Sequence, residues 1–103
     1  MIIVEIQVTY PNETAANDIA NEVIKKSLAA CVNVIPTQST YSWENKIINE
    51  GEYIALFKTN RSSVEKLIQA IKSAHPYTVP AIVWWEVNAT EEYAEWVGHQ
   101  LKH

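Results

Sequence analysis

The chain is short of the residues on which several common functions depend. It has a single cysteine, Cys31, so no disulfide can close within it. Without a Cys-x-x-Cys pair it matches neither thioredoxin-type redox proteins nor two-cysteine copper chaperones. Its two glycines, Gly51 and Gly98, stand far apart, which excludes a glycine-rich phosphate loop. No block of lysine or arginine occurs and the formal net charge is −4. A general nucleic-acid binder needs a basic footprint to neutralise phosphates, so no nucleic-acid partner is expected. No apolar run approaches the ~20 residues of a membrane span, and no signal-peptide pattern opens the chain. No membrane partner is expected, and the expected location is the cytoplasm, where a lone thiol stays reduced. His-x-His, His-Glu-x-x-His and Cys-x-x-Cys ligand spacings are absent as well.

What is present fits one domain over residues 1–103, with 48% hydrophobic and 19% charged residues. A domain of this length buries roughly two thirds of its unfolded surface, enough for a core without staples. Ile2, Val4, Ile6 and Val8 alternate with Ile3, Glu5, Gln7 and Thr9, the pattern of a half-buried strand. Asn12 or Thr14 can cap the helix that follows, whose stripe is Ala16, Ile19, Ala20, Val23, Ile24 and Leu28. Extended segments run from Cys31 and again over Ser39 to Ile48. Asn49-Glu50-Gly51 is expected to turn the chain, with Glu52 to Thr59 returning. Pro36 marks an edge, a bulge or a bend. Ser62 and Glu65 have capping-box spacing ahead of a stripe of Val64, Leu67, Ile68 and Ile71. That helix ends at His75, because Pro76 pushes the preceding residue out of the α region. Ala81 to Asn88 is a last strand, and Thr90 caps a terminal helix carrying Tyr93, Trp96, Val97 and Leu101. The order β-α-β-β-α-β plus a helix is the α+β, ferredoxin-like plan.

Two features argue against a lone chain. The hairpin arms exceed the ~5–6 residues of a typical strand, so their distal part should project. A projecting edge with Tyr41, Trp43, Ile47, Ile48 and Tyr53 invites pairing, and a closed ring of identical copies removes the hazard. The alternative is a hairpin bent over its own sheet at Pro36. Trp84 and Trp85 are adjacent on a strand and face opposite ways, so one ring needs a second layer, from a subunit interface or the terminal helix.

Four segments, in order over nearly the whole length, resemble the CutA family of divalent-cation tolerance proteins. They are LAACVNVIP (residues 28–36), YSWENKI (41–47), FKT (57–59) and HPYTVPAI (75–82), with Tyr93 and Trp96 beyond. The family carries a glycine where this chain has Asn45, a residue that also tolerates positive φ. The resemblance implies a ferredoxin-like protomer, a homotrimer built by strand pairing, an architecture similar to PII signalling proteins, and a link to tolerance of copper and other divalent ions.

Several side chains have metal or ligand chemistry. Cys31 is a soft donor for copper, or a small apolar residue at a strand start. His75 is an imidazole donor, or a helix-end histidine interacting with the last carbonyls. Glu44, beside Trp43, and Lys58, expected on the neighbouring strand, read as a cation- and anion-binding pair or as a cross-strand ion pair of little worth. Glu86 can add a carboxylate, and Tyr77 can close a pocket between Pro76 and Pro80. His99 and His103 read as solvated.

The functional expectation is a cytosolic, trimeric protein that binds a divalent metal such as Cu(II), with Cys31, His75, Glu44 and Glu86 as donors. The alternative is a PII-like small-molecule sensor with Trp43, Lys58 and Tyr77 in a cleft between subunits. No catalytic signature is found. A Cys31 nucleophile with a His75 base ranks last, so the chain is not expected to be an enzyme.

Overall fold

Alternating β-branched residues form strand β1, Ile2–Tyr10, in the computed structural model, which describes residues 1–101. There follow α1 (Glu13–Lys25), β2 (Cys31–Trp43), β3 (Lys46–Thr59), a 3₁₀ turn (Arg61–Ser63), α2 (Val64–Ala74), β4 (Ile82–Asn88) and α3 (Glu91–Gln100). The strands form one antiparallel sheet in the order β2-β3-β1-β4. This is the expected ferredoxin-like α+β architecture with an added C-terminal helix. Pro36 sits on β2, an edge strand, where its missing N–H costs no central ladder bond.

Polar side chains start two of the helices. Asn12 Oδ1 accepts the N–H of Ala15 at 2.8 Å, and Thr90 Oγ1 accepts that of Tyr93 at 3.3 Å. The expected Ser62–Glu65 capping box does not form. The 3₁₀ turn delays α2 to Val64, and the Ser62 hydroxyl donates to Asn60 Oδ1 at 2.9 Å.

The core lies between one sheet face and α1 and α2. Val4, Ile6 and Val8 from β1 and Ala55 and Phe57 from β3 meet Ala16, Ile19 and Val23 from α1 and Leu67 and Ile71 from α2. Ile24, which the helical stripe includes, is instead 43% exposed, at the rim of that face. Helix α3 packs against β1 and β3 on the other face. Ile3, which points away from Val4, is buried there, as is Val97. Trp85, on this α3 face beside Glu5, remains 39% exposed, and Trp84, on the core face beside Ile6, is 52% exposed.

The hairpin differs from expectation in one respect. Its turn is Glu44-Asn45, not Asn49-Gly51, and β3 runs unbroken through Gly51, which faces Gln38. Glu44 and Asn45 have φ of 52° and 64°. Positive φ at both central residues is the type I′ geometry, whose twist matches a tight two-residue hairpin. β1 pairs with β3 only from Tyr53 onward. The distal part, Thr37–Trp43 against Lys46–Glu52, is a two-stranded ribbon that projects beyond the sheet. It stretches the chain to 45 × 24 × 20 Å.

Candidate functional site

The sheet register separates the candidate residues into two regions. On the α3 face, Cys31 pairs with Lys58, Lys58 with Glu5, and Glu5 with Trp85, one residue from each strand. Lys58 Nζ donates to Asn33 Oδ1 at 2.6 Å and lies 3.4 Å from Glu5 Oε2. Cys31 is a free, partly buried thiol. Burial, with Cys31 and Glu5 nearby, raises the Tyr93 phenol above its ordinary value, placing α3 over this row.

The second region is a cavity of about 780 Å³ between the ribbon and the segment after α2. Alternate residues point to one face of a strand, so Ile48, Glu50 and Glu52 of β3 share a face with Ser39, Tyr41 and Trp43 of β2. All six line the cavity. Pro76, Tyr77, Thr78 and Val79 form the facing wall. The Tyr41 hydroxyl donates to Glu50 Oε1 at 2.6 Å, and the Tyr77 hydroxyl to Glu52 Oε2 at 2.6 Å. Glu52 is only 6% exposed. The hydrogen bond to Glu50 raises the Tyr41 phenol above its ordinary value. Burial, followed by the Glu52 bond and charge, raises that of Tyr77 further.

His75 stands behind this wall. Its Nδ1 accepts the N–H of Tyr77 at 3.1 Å, which leaves the proton on Nε2 to be donated to the Thr9 carbonyl at 2.8 Å. The ring stacks on Tyr10 with centroids 4.5 Å apart. Burial holds its pKa below the ordinary histidine value.

The remaining candidates lie elsewhere. Glu86, on β4, is gripped by Arg61, whose Nη2 donates to Oε1 at 2.8 Å while Nε donates to Oε2. That bond lowers the Glu86 pKa. Glu44 sits in the turn at the ribbon tip and Lys58 in the sheet beside Cys31. They are not neighbours, because the hairpin turns at Glu44 and pairs Trp43 with Lys46. Among the described residues no three His, Cys, Asp or Glu side chains converge on a metal position. Of the proposed small-ligand residues, Trp43 and Tyr77 line the cavity and Lys58 does not. His99 is exposed, and His103 lies outside the described residues. Glu50 and Glu52 were not anticipated. Their i, i+2 spacing opposite Tyr41 and Trp43 is the signal, but it emerges only once the turn is placed at Glu44-Asn45 and Glu50 belongs to a strand.

An antiparallel ferredoxin-like sheet with a β2–β3 hairpin longer than the sheet that carries it defines a class of small α+β proteins. A profile of the CutA1 divalent ion tolerance protein family matches residues 4–100, and the chain belongs to that family. It is 36% identical over 94 residues to the divalent-cation tolerance protein CutA of Thermus thermophilus, covering 89% of this chain and 91% of that protein. It is 32% identical over 100 residues to the chloroplastic protein CutA of Arabidopsis thaliana, covering 95% of this chain and 55% of that one. The chain thus spans little more than half of that plant relative. Among solved structures, the divalent ion tolerance protein CutA1 from Ehrlichia chaffeensis superposes with a TM-score of 0.94 at 30% identity, over 98% of this chain and 96% of that one. The periplasmic divalent cation tolerance protein CutA from Archaeoglobus fulgidus gives 0.93 at 30% identity, over 97% and 99%. None of these names states a reaction. Among the described residues no helix is long and apolar enough to cross a membrane.

Proposed function

We propose that this chain is a divalent-metal-binding tolerance protein acting as a homotrimer, with copper as a preferred ion. The supporting observation is the ribbon of Thr37–Trp43 and Lys46–Glu52, which leaves the sheet with both outer edges open. Ile47 is 76% exposed on it, and Trp84 and Trp85 are exposed on β4. Edges and apolar faces of this kind are covered by association. A metal site would then draw its donors from more than one copy, since no set of three converges within one chain among the described residues.

Cys31 supplies the thiolate in this reading, suited to a thiophilic ion. His75, Glu44 and Glu86 are the further proposed donors. His75 must release the Tyr77 N–H or the Thr9 carbonyl to bind a metal, and Glu86 must release Arg61. Glu44, at the exposed tip, has no such bond to give up among the described residues. The free thiol is the support for a reducing location such as the cytoplasm.

Two measurements test the reading. Sedimentation should find three copies per particle at micromolar concentration. Calorimetric titration with copper(II) should show weaker binding in Cys31→Ser and in His75→Ala. A stable single subunit, or copper binding unchanged in both variants, would overturn it.

A further inference from the structure

The cavity at the root of the ribbon combines walls and charge in a way that metal tolerance does not account for. Two carboxylates enter it, Glu50 and Glu52, and among the described residues no lysine, arginine or histidine side chain lines it. Each carboxylate is held by a tyrosine hydroxyl on one oxygen, Glu50 by Tyr41 and Glu52 by Tyr77. A phenol donates a hydrogen bond but brings no positive charge, so the negative charge of the pair is uncompensated. Glu52 is 6% exposed, so its charge acts where water screens it poorly. The lining also holds the rings of Trp43 and Tyr41, apolar surface from Ile48 and Val79, and the hydroxyl-bearing Thr9 and Ser39. At about 780 Å³ the space is of the size that holds a small organic molecule, well beyond a bare ion.

We propose that this cavity binds a small organic ammonium ion: a protonated primary amine with an apolar or aromatic body. The ammonium would donate to the second oxygens of Glu50 and Glu52 and to the hydroxyls of Thr9 and Ser39. Its apolar or aromatic body would pack on the rings of Trp43 and Tyr41. A hard divalent metal is the poorer match. It needs about six oxygen ligands close together, and the cavity offers two carboxylates already bonded to tyrosines. The proposal does not depend on the metal reading. The Cys31 row lies at the other end of the strands, where Cys31 pairs with Lys58, roughly 20 Å along β3 from Glu52, and loss of copper binding in the Cys31 variant would leave this site intact.

The test is titration of the full chain with phenethylammonium chloride, followed by the tryptophan indole signals in ¹H–¹⁵N spectra. Its neutral isostere 2-phenylethanol and magnesium chloride serve as comparison ligands. The expected result is a saturable shift of the Trp43 indole with phenethylammonium, about tenfold weaker or more with 2-phenylethanol, and weakened by added salt. Glu50→Gln should weaken binding by about tenfold, and Glu52→Gln by at least as much. Glu50 is the safer variant should loss of the buried Glu52 charge perturb folding. Three results would each overturn the proposal: no saturable shift, equal affinity for the ammonium and the alcohol, or the same shifts with magnesium at lower concentration.

Discussion

The imidazole of His75 accepts the backbone N–H of Tyr77 on Nδ1 and donates from Nε2 to the carbonyl of Thr9. One side chain thus ties the segment after α2 to the end of β1 and sets the wall that Tyr77 presents to the cavity. Only the neutral ring can do both, because a protonated Nδ1 cannot accept. Burial lowers the pKa, while the Thr9 bond and the charge of Glu52 act the other way. Tyr10, stacked on the ring, and Tyr77 stay uncharged at neutral pH.

This arrangement predicts a sign for the pH dependence. With its native pKa below the unfolded value of about 6.5, His75 binds fewer protons folded than unfolded. Its contribution to stability is complete above that pH and is lost as pH falls through the native pKa. Thermal melts between pH 7 and pH 5 should show a falling midpoint, and His75→Gln should flatten the fall. An NMR titration placing His75 at or above 6.5 would contradict the assignment.

The I′ turn predicts opposite outcomes for two substitutions at one position. Asn45 has φ of 64°, so Asn45→Gly should be neutral or slightly stabilising, whereas Asn45→Val should cost about 1–2 kcal/mol. Glu44, at φ of 52°, should gain up to about 1 kcal/mol on replacement by glycine. Urea unfolding at fixed chain concentration measures all three.

A buried hydroxyl fixes the loop between α1 and β2. Thr59 is fully buried and its Oγ1 donates to the Leu28 carbonyl at 2.9 Å. Thr59→Val keeps the shape and removes the donor, and should cost about 1–2 kcal/mol. Phe57→Ala, two residues along the same strand face, should cost about 3–5 kcal/mol through the cavity it leaves. A Thr59→Val variant as stable as the parent would mean that water replaces the bond.

Association through the ribbon predicts that a charge on its open edge is disruptive. Ile47 is 76% exposed, so Ile47→Lys costs the single chain little and costs a paired edge much. Sedimentation should show smaller particles for the variant, with circular dichroism unchanged. An unaltered particle size would place the contact elsewhere.

The elements themselves were legible in the residues. Period-two alternation in β1, the helical stripes, the caps at Asn12 and Thr90, and the stop before Pro76 are local effects, and the structure reproduces them. The misplaced turn came from a competition that local chemistry resolves poorly. Asn49-Glu50-Gly51 carries stronger turn residues than Glu44-Asn45. What decides is register: turning at Glu44 lets Trp43 pair with Lys46 and keeps every later pair in step down to Cys31 with Lys58.

The amino-acid order alone therefore determined the strand and helix sequence, the sheet plan that follows from it, and the shortage of glycine, cysteine and basic residues that limits the chemistry. Periodicity and backbone preference act over a few residues, so they can be read from a short window. The tertiary structure alone decided that Glu50 and Glu52 meet Tyr41 and Tyr77 around one cavity, that His75 spends both ring nitrogens on the backbone, and that Cys31 lies beside Lys58 rather than beside His75. Those relationships link residues distant in the chain, and they are set by strand register and the packing of whole elements.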